Sequence, residues 1–203
     1  MRHLIYVIAF TGRFEEMRKF YEWGLRLPVR RAEKDWVEFD TAGASLALHR
    51  MKDVSRLGLM LRFVTADLEG ALAELSERGL EPDGDVVELR DGKLANFFDV
   101  DGNLLTLLEP AAPVPSGAGP PLETLIVNVA DMVTATGFYR DRFGIPVLLQ
   151  SPWWTELDTG ATKVSLHPRV DATDELIHNT QPFVVEFEVP SLEKLGRELA
   201  EGG

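Results

Sequence analysis

The sequence predicts an α+β protein made of tandem βαβββ modules, each a strand, a helix and three further strands. Three observations carry this: apolar runs of period two, two helical patterns of period 3.6 between them, and a long internal repeat. At an offset of 118 residues, Phe20-Tyr21 falls on Phe138-Tyr139 and Trp36-Val-Glu-Phe-Asp40 on Trp154-Thr-Glu-Leu-Asp158. Ser45-Leu-Ala-Leu-His49 falls on Lys163-Val-Ser-Leu-His167. Phe63 to Glu69 then matches Phe187 to Glu193, so the second copy carries extra residues before its fifth strand. The copies are read as residues 1–110 and 122–203, joined by a semi-rigid linker at 111–121 rich in Pro, Gly and Ala.

In the first copy, the runs Leu4–Phe10, Trp36–Asp40, Leu46–His49, Leu59–Val64 and Leu104–Leu108 are expected as strands. Leu4–Phe10 is apolar but too short to span a bilayer, and Thr-Gly-Arg-Phe-Glu-Glu follows where a signal cleavage site would stand. It reads as the first strand of a cytoplasmic protein. Helices are expected at Phe14–Trp23 and Asp67–Arg78, the latter with Asp67 as N-cap and Gly79 as its stop. Asp101-Gly102 between two apolar runs reads as a hairpin turn. The second copy lacks its last three strands, because the offset places them near position 233, about thirty residues past Gly203. The chain is therefore expected to be truncated.

The 203 residues carry 21 Lys+Arg against 33 Asp+Glu, a net charge of −12, with 45% hydrophobic residues. This is an ordinary globular composition whose acidity opposes phosphate binding, so neither nucleic acid nor an anionic membrane is expected as a partner. The absence of cysteine removes thiol nucleophiles, zinc-thiolate sites and iron-sulfur clusters, leaving His, Asp and Glu for a harder metal. Asp99-Val-Asp-Gly-Asn103 does not qualify as a calcium loop, since Leu104 stands where glycine is needed. No phosphate loop, nucleophile elbow or His-Glu-x-x-His segment occurs.

Three motifs, in this order and given twice, resemble the vicinal oxygen chelate superfamily, the glyoxalase, bleomycin-resistance and extradiol-dioxygenase group. They are the helix end Phe138-Tyr-Arg-Asp-Arg-Phe-Gly144-Ile-Pro146, the segment Trp154 to His167, and Phe97-Phe-Asp-Val-Asp-Gly-Asn103. The resemblance implies glyoxalase-like domains, each closing a half-barrel around a pocket from two modules. It also implies a divalent metal held by His or Gln, His and Glu from the first, fifth and last strands. Those positions are Tyr6, Met60 and Thr106 in the first copy and Thr124 and Val184 in the second. None is a credible ligand for a hard divalent ion, so no metal or other cofactor is expected.

Strand alternation assigns the faces. Leu125, Val127 and Val129, and likewise Val185, Phe187 and Val189, should cover a helix, leaving Thr124, Ile126, Asn128, Val184, Glu186 and Glu188 for the pocket. By equivalence the first copy offers Tyr6, Ile8 and Phe10, then Met60, Arg62 and Val64, then Leu104, Thr106 and Leu108. Trp36 with Glu38, and Trp154 with Glu156, should line the third strands. The candidate ligand-binding residues are Tyr6, Phe10, Trp36, Glu38, Met60, Arg62, Thr106, Asn128, Trp154, Glu156 and Glu186. Glu38 and Arg62 are expected to neutralise each other, and Glu186 at the position equivalent to Arg62 has no evident cation. His3 is expected in solvent, His49 and His167 in turns after the fourth strands, and His178 in a polar loop.

The functional expectation is a bleomycin-resistance-like protein holding a small, partly aromatic molecule in its pocket. The alternative is a lyase or dioxygenase whose metal ligands, such as Glu186, come from unusual places; catalytic residues are unassigned. Pairing of the two copies within the chain, or a homodimer, is compatible with either.

Overall fold

The computed structural model describes residues 2–52, 59–90, 92–114, 119–169 and 183–201. His178, the insertion expected before the fifth strand of the second copy, and linker residues 115–118 lie outside the described residues. The first module consists of β1 (His3–Thr11), α1 (Phe14–Lys19), β2 (Val29–Ala32), β3 (Trp36–Phe39) and β4 (Ser45–Arg50). The second consists of β5 (Met60–Val64), α2 (Leu68–Glu77), β6 (Val87–Leu89), β7 (Gly92–Phe98) and β8 (Leu104–Pro110). The third repeats the pattern as β9 (Leu122–Val129), α3 (Met132–Gly137), β10 (Val147–Gln150), β11 (Thr155–Leu157) and β12 (Lys163–Pro168), and β13 (Phe183–Glu188) and α4 (Leu192–Glu201) follow. The class is α+β, built from βαβββ modules as expected.

Both helices expected in the first copy form. α1 runs on into a wider π-turn over Phe20–Gly24, and α3 repeats this over Phe138–Arg142. The Asp67 carboxylate accepts the Gly70 N–H at 3.0 Å, and Gly79 stops α2 at φ 77°, a left-handed conformation that suits glycine. Strands β2, β6 and β10 escaped the sequence reading because each is a short, mostly exposed strand at a sheet edge.

Each sheet draws strands from both sequence copies. One has five strands in the order β13-β1-β4-β3-β2, the other eight in the order β10-β11-β12-β9-β5-β8-β7-β6. The joints are antiparallel pairs of β1 with β13 and of β5 with β9. The copies are also tied by a repeated contact: Leu4 N–H donates to Thr159 O at 2.9 Å, and its equivalent Leu122 N–H donates to Thr41 O at 3.0 Å. Beside them the buried Thr162 hydroxyl accepts from Ala44 N–H at 2.9 Å and donates to Leu122 O at 2.8 Å.

One apolar cluster serves both sheets. Val7, Ala9, Leu46 and Leu48 enter it from the five-stranded sheet, and Leu61, Phe63, Leu105, Leu107 and Leu125 from the other. Phe14, Met17 and Tyr21 of the first helix and Leu68 and Leu75 of α2 fill it. Each such Val, Leu, Phe or Met side chain, fully buried, stabilises the fold by about 1.5–3 kcal/mol. Val127, Val129, Val185 and Phe187 pack against the cluster as the alternation predicted. Each sheet therefore keeps a second face turned away from the core, its open face.

The hairpin turn at Asp101-Gly102 is present, with Gly102 at φ 85° between β7 and β8. Asp99 closes it, accepting Asp101 N–H and Asn103 N–H at 2.9 Å each and Asn103 Nδ2 at 2.8 Å. Tyr21 donates its hydroxyl to Asp99 at 2.8 Å, tying the first helix to this turn. Burial pushes the Asp99 carboxyl up, and the bonds from Asn103 and Tyr21 pull it back part of the way.

Candidate functional site

The expected pocket residues separate between two open faces. Tyr6, Phe10, Trp36, Glu38 and Glu186 lie on the five-stranded sheet, whereas Met60, Arg62, Thr106, Asn128 and Glu156 lie on the eight-stranded one, with Trp154 just before its strand β11. Strand alternation gave the faces correctly but could not tell which strands are neighbours, since sheet pairing is non-local.

On the five-stranded sheet, Glu38 is 4% exposed and accepts from Ser45 Oγ at 3.1 Å and from Arg30 Nη1 at 3.4 Å. Arg30 also donates to Ser45 Oγ at 2.7 Å and pairs with Asp40 at 3.1 Å. The expected Glu38–Arg62 pair is therefore corrected: the cation beside Glu38 is Arg30. A β-bulge sets Arg30 and Arg31 against the single residue Glu38, which turns Arg30 in beside the carboxylate. Burial first, and then the Glu38 carboxylate, raise the Tyr6 phenol above its usual range. Tyr6 lies opposite Glu186 on β13, and its ring meets Trp36 edge-on at 6.4 Å.

The two histidines expected in turns are strand residues. His49 lies in β4 with its ring 5.7 Å from both Trp36 and Phe10, and His167 lies in β12, 6.3 Å from Trp154. Pro168 did not end the strand before His167 because it is the last residue of β12, where its missing N–H costs little. The period-two series 45, 47, 49 was the available signal. His3, expected in solvent, is half-buried and packs over Gly160.

The eight-stranded sheet carries a continuous polar row across five strands: Asn96, Thr106, Arg62, Thr124 and Lys163 stand in register on β7, β8, β5, β9 and β12. Thr106 and Thr124 are buried, at 8% and 1% exposure. Glu123 is the extra residue of a bulge opposite Arg62 and Phe63, a position the sequence reading missed. It accepts from Thr124 Oγ1 at 2.6 Å, and Lys163 Nζ stands 3.7 Å from Glu123 and 3.6 Å from Glu156. The Arg62 guanidinium lies over the Trp154 ring at 5.1 Å, and its Nε is buried without a hydrogen-bond acceptor. Met60, Ile126 and Leu104 are the apolar neighbours, with the Asn128 amide 2.9 Å from the Met60 sulfur.

This arrangement of modules recurs in solved structures. Glyoxalase I from Zea mays superposes with a TM-score of 0.74 at 14% identity, covering 99% of this chain and 79% of that one. A point mutant of the same maize enzyme gives 0.77 at 13% identity, covering 98% and 80%. A proposed dioxygenase from Bacillus subtilis gives 0.70 at 11% identity, covering 99% and 75%. The chain shares the fold of these proteins. No family model and no curated protein sequence matches it. The eight-stranded sheet holds all four strands of two modules.

The divalent metal implied by the superfamily does not fit the residues present. Among the described residues no three His, Asp or Glu side chains come together to hold a metal ion. The family positions are filled by a phenol at Tyr6, a thioether at Met60 and hydroxyls at Thr106 and Thr124, with the Arg62 guanidinium between the last two. A fixed cation there repels a second one.

A cavity of about 490 Å³ lies against α2, lined by Phe63, Leu75, Leu105, Leu107, Pro120 and Pro121, with Thr106 also in its lining. Its arginines are already engaged, Arg26 and Arg78 with Glu74, so it offers little chemistry. Among the described residues no helix is long and apolar enough to cross a membrane.

Proposed function

We propose that this protein binds a small, partly aromatic molecule on the open face of the eight-stranded sheet, without the divalent metal usual in the superfamily. The observation that supports this is the stack of Arg62 on Trp154 at 5.1 Å, set among Met60, Ile126, Thr106 and Thr124. An aromatic wall, an apolar floor and a few aimed polar groups make a recognition site. They do not make a Lewis acid site. A net charge of −12 also fits a small-molecule ligand better than a polyanion.

The test has two arms. Metal content is measured by inductively coupled plasma mass spectrometry after incubation with nickel, zinc, manganese and iron(II) and desalting; substoichiometric metal is expected. Thermal unfolding is then followed with a panel of planar aromatic compounds. A binder at a hundred times its Kd stabilises by about 2.7 kcal/mol, and Trp154→Ala should remove that gain. Stoichiometric metal would overturn the metal-free reading and put a metal-dependent lyase or dioxygenase in its place.

A further inference from the structure

We infer that the molecule held on this face carries a carboxylate and that Arg62 receives it; this rests on the ligand-binding reading above. Arg62 stands on a strand with four others on one side and three on the other, between Thr106 and Thr124. A guanidinium in such a place is normally neutralised by an acid of its own protein. The two acids within the same polar region are taken: Lys163 faces both Glu123 and Glu156, and Thr124 donates to Glu123. Arg62 forms no ion pair among the described residues, and its buried Nε–H lacks an acceptor. A buried donor without a partner is unfavourable, and because the residue as a whole is half-buried, an acceptor from outside meets the exposed part of the side chain.

The geometry selects the kind of acceptor. The guanidinium carbon lies over the Trp154 ring, and a guanidinium without an internal partner is the group best suited to a carboxylate. One unpaired cation suits a monoanion, and a doubly charged phosphate would stand near Glu123 and Glu156 as well. Met60, Ile126 and Leu104 surround the site with apolar surface, so the remainder of the ligand is apolar and planar enough to share the Trp154 wall. The other sheet gives the contrast. Glu186 stands at the position equivalent to Arg62, and the cation there, Arg30, is bound by Glu38, Ser45 and Asp40.

The whole protein is titrated with benzoate, benzamide and phenyl phosphate while the Arg62 Nε–H and Trp154 Nε1–H signals are followed by NMR. Benzoate is expected to move both signals and to bind about tenfold more tightly than benzamide, the margin of one charge-assisted hydrogen bond. Arg62→Met should abolish that preference, so that the variant binds benzoate no more tightly than benzamide, and Arg62→Gln provides a second uncharged variant if the first does not fold. Equal binding of benzoate and benzamide, with Trp154 moving and Arg62 still, overturns the carboxylate assignment and spares the pocket. Tighter binding of phenyl phosphate than of benzoate overturns it too. If no probe moves Trp154 at about 50 mM, above the weak Kd expected for ligands of this size, the pocket reading falls with it.

Discussion

Replacing Tyr21 with phenylalanine tests how the first helix is held to the turn at the end of the eight-stranded sheet. The substitution keeps the ring, which is fully buried, and deletes only the hydroxyl that donates to Asp99 at 2.8 Å. Asp99 is 5% exposed, so water does not readily replace the lost donor, although Asn103 and Asp101 still bond the carboxylate. A hydrogen bond to a charged group contributes about 1.5–3 kcal/mol, and with three donors left a loss of about 2 kcal/mol is expected. For a chain of this size that lowers Tm by about 4–8 °C. The effect has a definite pH dependence. The folded pKa of Asp99 is raised, so as pH rises from the unfolded value near 3.8 through the folded one, the folded state gives up its proton later and this group's contribution to stability declines. The Tyr21 hydroxyl opposes that rise by favouring the carboxylate. Tyr21→Phe should raise the folded pKa further, making its cost greatest at neutral pH and smaller in acid, where the protonated carboxyl needs the donor less. Urea unfolding of both proteins at pH 7 and at about pH 4 measures this. A cost below about 0.5 kcal/mol, or one that grows on acidification, would refute the assignment of the bond to the charged form.

Two further outcomes follow from the joints between the copies. Thr162→Val keeps the shape and removes a hydroxyl that serves both Ala44 N–H and Leu122 O; leaving both groups unpartnered should cost about 2–4 kcal/mol in urea unfolding. A cost near zero would mean that these backbone groups find water. A fragment of residues 1–112 exposes the sides of β1 and β5 that pair with β13 and β9. It should sediment as a dimer or larger species in analytical ultracentrifugation, and a monomer as stable as the whole chain would contradict the interleaved sheets.

Much of this molecule was legible locally. The alternation at 6–10, 59–64, 104–108 and 124–129 assigned core and open faces correctly, because period two follows from strand geometry alone. Asp67 and Gly79 marked the ends of α2 for equally local reasons. Two things were not legible. Which strands adjoin is decided by contacts far apart in sequence, so Tyr6 and Met60 looked like members of one pocket and belong to different sheets. Bulges interrupt the alternation, so a period-two count does not reach Arg30 or Glu123, and neither was among the candidates. Both bulges recur at the equivalent residues Leu148 and Ile5, which makes them features of the module.

The interleaving of the two copies also bears on how their faces came to differ. Two separate, identical chains joined in this way would be bound by a twofold axis, and every substitution would appear on both faces. Joined in one polypeptide, the copies are released from that symmetry while the shared core and the paired Leu4–Thr159 and Leu122–Thr41 contacts preserve the frame. The open faces depart from one another at Arg62 against Glu186, Thr124 against Tyr6, Asn128 against Phe10 and Lys163 against Ser45. One scaffold thereby presents two addresses of unlike charge, and each can be rewritten without disturbing the other.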